Sequence, residues 1–260
     1  MLQMGDMKVG LQLFTLREHM KTPDDIKQTM AKVAGAGYQY VEVCMPDVMP
    51  PEELAGVLKE NGLTAMSTHV AEAKIKDDMD GMIARQKALS CNDIIVPSIP
   101  KELRGDLDTM LQVVTNITKY VEPLRKHGIN IHYHNHTFEF AYFEQGTPMD
   151  LMCDILKQGD AYFEPDLYWA QASGINPEKW VSSITAKVDR VHVKDMRGTP
   201  QNSCEMYPIG FGNMDWPGIL RACKERDVEY VVVELDSTPW DVFKSIAQSH
   251  EYLTNLIKKL

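Results

Sequence analysis

The residues that could do chemistry in this sequence are histidines and carboxylates near the ends of short apolar runs. His132, His134 and His136 stand at alternate positions, and Glu139 follows closely. Further along the chain come six more polar candidates: Glu164, Asp166, His192, Lys194, Glu234 and Asp236. Imidazole nitrogens together with carboxylate oxygens suit manganese, magnesium, cobalt or zinc. We therefore predict a site for one divalent ion, provided that the fold brings these residues together.

The elements that must position these residues form a regular series. Short β-branched runs alternate with amphipathic stretches at a spacing of roughly 30 residues, which is typical of a repeated βα unit. The predicted strands are Val9–Phe14, Tyr40–Cys44, Thr64–Thr68, Asp93–Pro97, Ile129–Tyr133, Ala161–Glu164, Arg190–Val193 and Tyr230–Glu234. Proline-containing helix starts occur at Thr22-Pro23, Pro51, Pro148, Asn176-Pro177 and Thr238-Pro239, and Gly37, Gly62 and Gly128 stand where helices should stop.

Eight strands with intervening helices predict an α/β fold of the (β/α)8 TIM-barrel class, formed as one domain over residues 1–260. An open doubly wound sheet is the alternative, but no GxGxxG or phosphate-binding loop follows the first strand. The chain length of 260 residues is typical of one TIM barrel. The active site of a TIM barrel lies at the C-terminal ends of the strands, which is where the polar candidates fall.

The alternation of side chains along a strand predicts which of these residues face the barrel interior. His192 and Lys194 point to the same side, which we take to be the barrel interior. Glu234 could instead be only the partner of Lys194 in an internal salt bridge. His132 lies lower in its strand, and we interpret it as a hydrogen-bonded core residue.

Charge and cysteine content exclude some classes of function. The chain carries 27 Lys and Arg against 37 Asp and Glu, a net charge of −10, which argues against general binding of nucleic acid. Its five cysteines form no CxxC pair, so we expect reduced thiols in a cytoplasmic protein rather than a disulfide framework or structural zinc. No run is apolar and long enough to span a membrane, and the N-terminus does not look like a signal peptide, although a removed presequence would be invisible.

The longest stretch without predicted structure is Met196–Met214, between strand seven and its helix. It contains Ile209-Gly210-Phe211-Gly212, whose glycines would let the backbone approach a ligand. Because long loops inside compact domains are often functional, we expect this one to border the site.

The strand ends resemble those of the sugar phosphate isomerase/epimerase superfamily, the xylose isomerase-like TIM barrels, along nearly the whole chain. The motifs that carry the resemblance are Gly10–Arg17, Gly37–Glu42, Tyr133–Phe140, Glu164–Trp169, Val191–Asp195, Ile209–Trp216 and Val233–Asp236. The resemblance implies one divalent ion, often manganese, held by residues from strands five to eight. Three ligands carry over as Asp166, His192 and Glu234. The fourth is either His134 or Glu139; we favour Glu139 because a carboxylate is the harder ligand.

This sequence departs from the ketose epimerases at strand five, where His134 replaces a glutamate. A mechanism that uses two glutamates on opposite faces of the substrate is therefore in doubt. The histidine-rich strand is more similar to the inosose dehydratase branch and to relatives that act on 3-keto sugars.

The shared chemistry of the superfamily is removal of a proton next to a carbonyl whose oxygen the metal polarises. Glu234 or His134 is the expected base, and His136 or Lys194 could protonate a leaving group. We expect Glu42, His69, Trp169 and Arg197 to contact the substrate. That substrate is a small sugar or cyclitol, and a homo-oligomer is possible.

Three alternatives to an isomerase or epimerase remain at this point. One is a dehydratase or lyase acting on a keto-inositol or a 3-keto-glycoside. Another is a DNA-repair nuclease of the endonuclease IV family, which shares the barrel but needs three zinc ions and more ligands. The last is a non-catalytic sugar-binding barrel, against which the retained Asp166, His192 and Glu234 argue.

Overall fold

The computed structural model describes residues 7–44, 48–144 and 146–260. Eight parallel strands form the barrel: β1 (Lys8–Gln12), β2 (Tyr40–Val43), β3 (Thr64–His69), β4 (Asp93–Val96), β5 (Asn130–His134), β6 (Tyr162–Glu164), β7 (Arg190–Val193) and β10 (Tyr230–Val233). They are joined in the order β6-β5-β4-β3-β2-β1-β10-β7. The predicted TIM barrel is confirmed.

The barrel closes between β6 and β7 through two isolated parallel bridges rather than a continuous ladder. One bridge pairs Tyr162 with Lys187, and the other pairs Asp166 with His192. The His192 N–H donates to the Pro165 carbonyl oxygen over 2.9 Å at the second bridge. We call this junction the β6–β7 seam.

Helices surround the barrel strands. They are α1 (Pro23–Gly35), α2 (Pro51–Glu60), α3 (Glu72–Asp77), α4 (Met79–Ala88), α5 (Leu107–Lys119), α6 (Val121–Arg125), α7 (Pro148–Gln158), α8 (Leu167–Ala172), α9 (Pro177–Ser183), α10 (Trp216–Glu225) and α11 (Val242–Ile257). A capping box between Thr22 and Asp25 starts α1, as the sequence indicated. The predicted start at Thr238-Pro239 is wrong, because Asp241 caps α11 by accepting from the Lys244 N–H over 2.8 Å.

Most predicted strand ends differ from the structure by one residue, and two differences are larger. β1 ends at Gln12 rather than Phe14, because the Gln12 side chain accepts from the Phe14 N–H and starts a 3-10 helix over Leu13–His19. The stretch Met196–Met214 is not wholly irregular. It contributes most of an antiparallel hairpin of β8 (Asp195–Gly198) and β9 (Cys204–Tyr207).

The buried carboxylate of Asp195 organises the segment that carries this hairpin. Its two oxygens accept from the backbone N–H groups of Met196, Gly210, Gly212 and Met214, and from the indole N–H of Trp216. A Cβ atom on Gly212 would lie 2.1 Å from Asp195 Oδ1, so the close approach requires glycine at position 212. One side chain therefore ties the loop after β7 to the start of α10.

A polar group fills the opposite, N-terminal end of the barrel. The buried Arg190 guanidinium lies 2.6 Å from Asp93 Oδ2 and 3.0 Å from Asp189 Oδ1. His132 is fully buried, with Nε2 3.2 Å from Asp189 Oδ1, as expected of a hydrogen-bonded core residue. None of the helices within the described ranges has the length and apolarity of a membrane span.

Candidate functional site

Four buried side chains converge at the C-terminal ends of adjacent barrel strands. His134 ends β5, Asp166 follows β6, His192 lies on β7, and Glu234 follows β10. None of them is more than 5% exposed, and each offers a ligand atom within 4.8 Å of those of the other three. We call this group the four-residue cluster. It brings together the three predicted ligands that carried over from the resemblance, with His134 as the fourth member.

Both histidines of the four-residue cluster use their two ring nitrogens in different directions. His192 Nδ1 lies 2.9 Å from Glu234 Oε2, whereas its Nε2 lies 2.7 Å from Glu42 Oε1. His134 Nε2 lies 3.7 Å from Asp166 Oδ2, whereas its Nδ1 lies 3.1 Å from Glu164 Oε2. Each imidazole therefore joins the cluster to a second pair of carboxylates.

That second pair, Glu42 and Glu164, is fully buried, and we call it the carboxylate pair. His69 Nε2 lies 2.8 Å from Glu42 Oε1 and 3.3 Å from Glu164 Oε2. Burial alone would raise the pKa of Glu42, but the charges of His69 and His192 hold it well below its usual range. Burial and the charge of Glu42 raise the pKa of Glu164. The pair therefore has one firmly ionised member.

The buried ammonium group of Lys194 lies among three carboxylates. Its Nζ is 2.8 Å from Glu234 Oε2, 2.9 Å from Asp166 Oδ2 and 3.1 Å from Asp236 Oδ2. Burial favours the neutral amine, but these anions raise the pKa of Lys194 well above its ordinary value. The predicted Lys194–Glu234 salt bridge is present together with the four-residue cluster, so the two interpretations of Glu234 are compatible.

Two aromatic side chains next to the cluster carry unpartnered polar atoms. The rings of His136 and Trp169 stack with centroids 5.8 Å apart, and His134 lies 5.2 Å from His136. His136 Nδ1 and Trp169 Nε1 are buried without a hydrogen-bond partner. Burial lowers the pKa of His136 to about 2, so its imidazole is neutral near pH 7. Because buried polar groups are normally satisfied, these two atoms suit a polar ligand.

Two predicted roles do not agree with this geometry. Glu139 was favoured as a ligand, yet its carboxylate accepts from the Tyr133 hydroxyl over 2.5 Å and from the His136 N–H over 2.9 Å. The sharp turn after β5 holds it there, outside the four-residue cluster. Glu42 was expected to contact the substrate, but it has no exposed surface and hydrogen-bonds inward to His192.

The other expected substrate contacts occupy different depths. His69 is nearly buried against the carboxylate pair, with 6% of its side chain exposed. Trp169 is partly exposed, and Lys194 Nζ lies 5.2 Å from its ring centre. Arg197 is exposed on β8, stacks on Tyr207 and donates to the Phe211 carbonyl oxygen. Substrate roles for these three residues stay predictions.

Sequence reasoning gave no role to several polar residues that support the site. Gln12 Nε2 donates to Glu42 Oε1 over 2.6 Å, and the Ser67 hydroxyl donates to Glu42 Oε2 over 2.5 Å. Glu164, which precedes Asp166 by two positions, contacts three histidines. The signal was period-two alternation, which places Glu164 and Asp166 on one face of the chain leaving β6.

The donor set of the four-residue cluster fits a divalent ion. Two carboxylates and two imidazoles suit manganese, zinc or cobalt. If the far nitrogens of His134 and His192 donate to the carboxylate pair, their near nitrogens keep free lone pairs for coordination. Asp166 Oδ2 makes no well-directed hydrogen bond, although Lys194 Nζ lies close to it. His134, Asp166, His192 and Glu234 would hold the ion.

Comparisons with known proteins agree on the architecture. The model of the family described as xylose isomerase-like TIM barrel matches residues 30–256. A sugar phosphate isomerase/epimerase structure from Parabacteroides distasonis is 21% identical, with a TM-score of 0.78 over 95% of this chain and 98% of that one. No curated protein sequence matches this chain.

Two further structures are similar at lower identity. The IOLI protein with a binding zinc atom is 16% identical, with a TM-score of 0.73 over 97% of this chain and 99% of that one. The probable 3-DHS dehydratase from Bacillus anthracis is 15% identical, with a TM-score of 0.71 over 96% and 99% of the respective chains. At these identities the likeness concerns the fold.

Proposed function

Because this chain belongs to the xylose isomerase-like TIM barrel family, we propose that it is a metal-dependent sugar isomerase or epimerase. Its reaction would remove a proton from the carbon next to the carbonyl of a keto-sugar or cyclitol-like substrate. The observation that carries the proposal is the four-residue cluster, which supplies two imidazoles and two carboxylates at the C-terminal end of the barrel. Manganese is the proposed ion. The proposed substrate is a small sugar or cyclitol, and the proposed location of the protein is the cytoplasm.

The proposed ion would supply Lewis-acid polarisation of the substrate carbonyl. Asp166, His192, His134 and Glu234 would hold it. Zinc is the second choice of metal, because the donor set is rich in imidazole and the structurally similar IOLI protein binds a zinc atom. The identity of the metal in the purified protein discriminates between the two.

The charges around Lys194 support a proposed part for it in the reaction. Three carboxylates hold its ammonium group protonated within reach of Glu234 and Asp166. The ammonium would stabilise negative charge that develops on the substrate and would return a proton to it. Glu234, whose pKa is held low by Lys194 and His192 against the effect of burial, is ionised and is the proposed base.

His136 and Trp169 are proposed to bind the substrate. His136 Nδ1 and Trp169 Nε1 are both buried and unpartnered. The neutral imidazole nitrogen can accept from or donate to a sugar hydroxyl, and the indole N–H can donate to one. Their stacked rings also give an apolar face for a sugar ring. Because its low pKa leaves the His136 imidazole neutral near pH 7, it has no acidic proton to give, and Lys194 is the better acid of the two.

Dehydration is a second candidate reaction, which the position of Lys194 favours. After proton removal, loss of a β-hydroxyl needs an acid for the departing oxygen, and Lys194 is protonated. The fold likeness to a probable 3-DHS dehydratase supports keeping this reaction in the screen. Isomerisation and dehydration share the first step, so one assay detects both.

The test begins with metal content in the purified parent protein and in the Asp166→Ala and Glu234→Ala variants. We expect about one ion per chain in the parent and a large loss in both variants. The metal-loaded parent should then exchange substrate hydrogen for deuterium from D2O when screened against keto-sugars and inososes. Absence of binding even after addition of manganese or zinc would contradict the proposal and favour a non-catalytic sugar-binding barrel.

A further inference from the structure

We infer that Glu42 and Glu164 are positioning residues that select opposite ring nitrogens of His192 and His134 as metal ligands. The inference rests on the proposed function and deepens it. It assigns coordination through His192 Nδ1 and His134 Nε2, and it gives the carboxylate pair a role beyond filling the barrel. Neither carboxylate is a member of the four-residue cluster.

The environment of Glu42 fixes the orientation of His192. Glu42 Oε1 lies 2.7 Å from His192 Nε2, and Gln12 and Ser67 donate to its two oxygens. These two donors come from β1 and β3, on either side of β2, so the carboxylate is held from both sides. Because Gln12 and Ser67 donate to the two oxygens of Glu42, these oxygens act as acceptors, and His192 donates to Oε1 through Nε2. Nδ1 faces Glu234 Oε2, 2.9 Å away, and is therefore the nitrogen left to coordinate an ion.

The environment of Glu164 fixes the ring of His134 so that its nitrogens face in the reverse arrangement to those of His192. Glu164 Oε2 lies 3.1 Å from His134 Nδ1, which places the other nitrogen, Nε2, toward Asp166 Oδ2. Glu164 and Asp166 are two residues apart on the same chain segment, so a single segment holds both sides of the His134 ring. The two imidazoles therefore face the four-residue cluster through different nitrogens.

The selection matters because a neutral imidazole exists as two tautomers, only one of which has a free lone pair on the required nitrogen. A partner on the far nitrogen fixes the tautomer and the ring orientation, and its loss typically weakens metal binding about 10–100-fold. Glu42 and Glu164 are the far partners here. His69 lies between them and donates through Nε2, which offsets the repulsion between two buried carboxyl groups.

The decisive experiment uses the parent protein loaded with cadmium-113 and labelled with nitrogen-15. Cadmium-113 couples to the nitrogen that coordinates it, so long-range proton–nitrogen spectra identify the ligand atom of each ring. We expect couplings at His192 Nδ1 and His134 Nε2, and a proton on each far nitrogen. Couplings at the opposite nitrogens would overturn the inference while leaving the metal centre intact. Failure of the parent to bind cadmium or manganese would overturn the metal centre and the inference with it.

Variants give an independent measurement. Glu42→Gln and Glu164→Gln should each weaken manganese binding about 10–100-fold by titration, while the parent ligands stay in place. Thr68→Val is the matched control: Thr68 is buried on β3 beside Ser67, but its hydroxyl donates to Gln86 and not to the carboxylate pair. We expect the manganese affinity of Thr68→Val to stay within about twofold of the parent, because Thr68 does not contact a proposed metal ligand or its hydrogen-bond partner. Equal losses of affinity in Thr68→Val and Glu42→Gln would overturn the inference.

Discussion

The indole N–H of Trp216 donates to Asp195 Oδ2 over 2.8 Å, and the same oxygen accepts from the N–H groups of Gly210 and Gly212. Asp195→Asn would place an amide that donates among groups that also donate. Leaving a buried donor unsatisfied costs about 1–3 kcal/mol, so we expect a loss of at least about 2 kcal/mol in the free energy of unfolding. Urea denaturation measures it.

The control for that prediction is Asp215→Asn. Asp215 caps α10 by accepting from the Gly218 N–H, and asparagine caps helices about equally well. Its effect on urea denaturation should stay within about 0.5 kcal/mol. Equal stability of the two variants would show that Asp195 does not organise the segment.

Glu139 gives a pH-dependent prediction. Burial raises the pKa of its carboxyl group to about 7 from 4.5, so the folded protein holds a proton that the unfolded chain has released. This contribution to stability is complete below pH 4.5 and is lost as the pH rises to about 7. Glu139→Gln should remove that loss, and its stability relative to the parent should increase from pH 4.5 to pH 8.

Thermal unfolding across this pH range measures the effect of Glu139→Gln. Glu122→Gln, at an exposed position of α6, is the control and should leave the shape of the profile unchanged. A parallel shift of the Glu139→Gln curve at every pH would mean that the carboxyl group does not titrate in this range.

The contribution of Asp189 to stability should depend on pH in the opposite direction to that of Glu139. Burial works against ionisation, but His132 and Arg190 hold the pKa of Asp189 well below its usual range. Its contribution to stability is therefore present above the unfolded value of about 4 and is lost as the pH falls toward the folded value. Asp189→Asn should be less stable than the parent at pH 7, with the difference shrinking below about pH 4.

Acid denaturation of Asp189→Asn should be compared with that of Asp160→Asn. Asp160 pairs with Arg125 and Lys187 at the surface, where ion pairs contribute about 0–1 kcal/mol. We expect a clearly smaller effect at Asp160. A difference between Asp189→Asn and the parent that persists unchanged at acid pH would contradict the assigned role.

Trp169→Phe tests the proposed substrate contact. The change keeps an aromatic ring beside Lys194 and His136 but deletes the unpartnered Nε1–H. Loss of one hydrogen bond of about 1–1.5 kcal/mol corresponds to about a tenfold lower kcat/KM, with manganese affinity unchanged. Trp180→Phe, whose ring packs on Phe140 and Phe163, should leave kcat/KM near the parent value. Matching losses in both variants would point to packing rather than recognition.

The eight strands and the closed barrel could be predicted because hydrophobic alternation and turn residues are local signals. Asp166, His192 and Glu234 could be placed at one end for the same reason, since parallel strands share their C-terminal edge. The contact of His192 with Glu42 could not be predicted, because Glu42 is 150 residues away in the sequence. The position of Glu139 outside the four-residue cluster could not be predicted, because it depends on a short 3-10 turn over Phe138–Phe140, and such turns leave little trace in periodicity.

The β6–β7 seam gives the proposed ion a mechanical consequence. Asp166 and His192 form one of the two bridges at this seam, where two strands lack a continuous ladder, and both residues belong to the four-residue cluster. In the metal-loaded protein the ion would link β6 to β7, the two edge strands of the eight-stranded sheet. Hydrogen exchange should then slow most at the amides of β6 and β7, and the apo barrel should open first along this line.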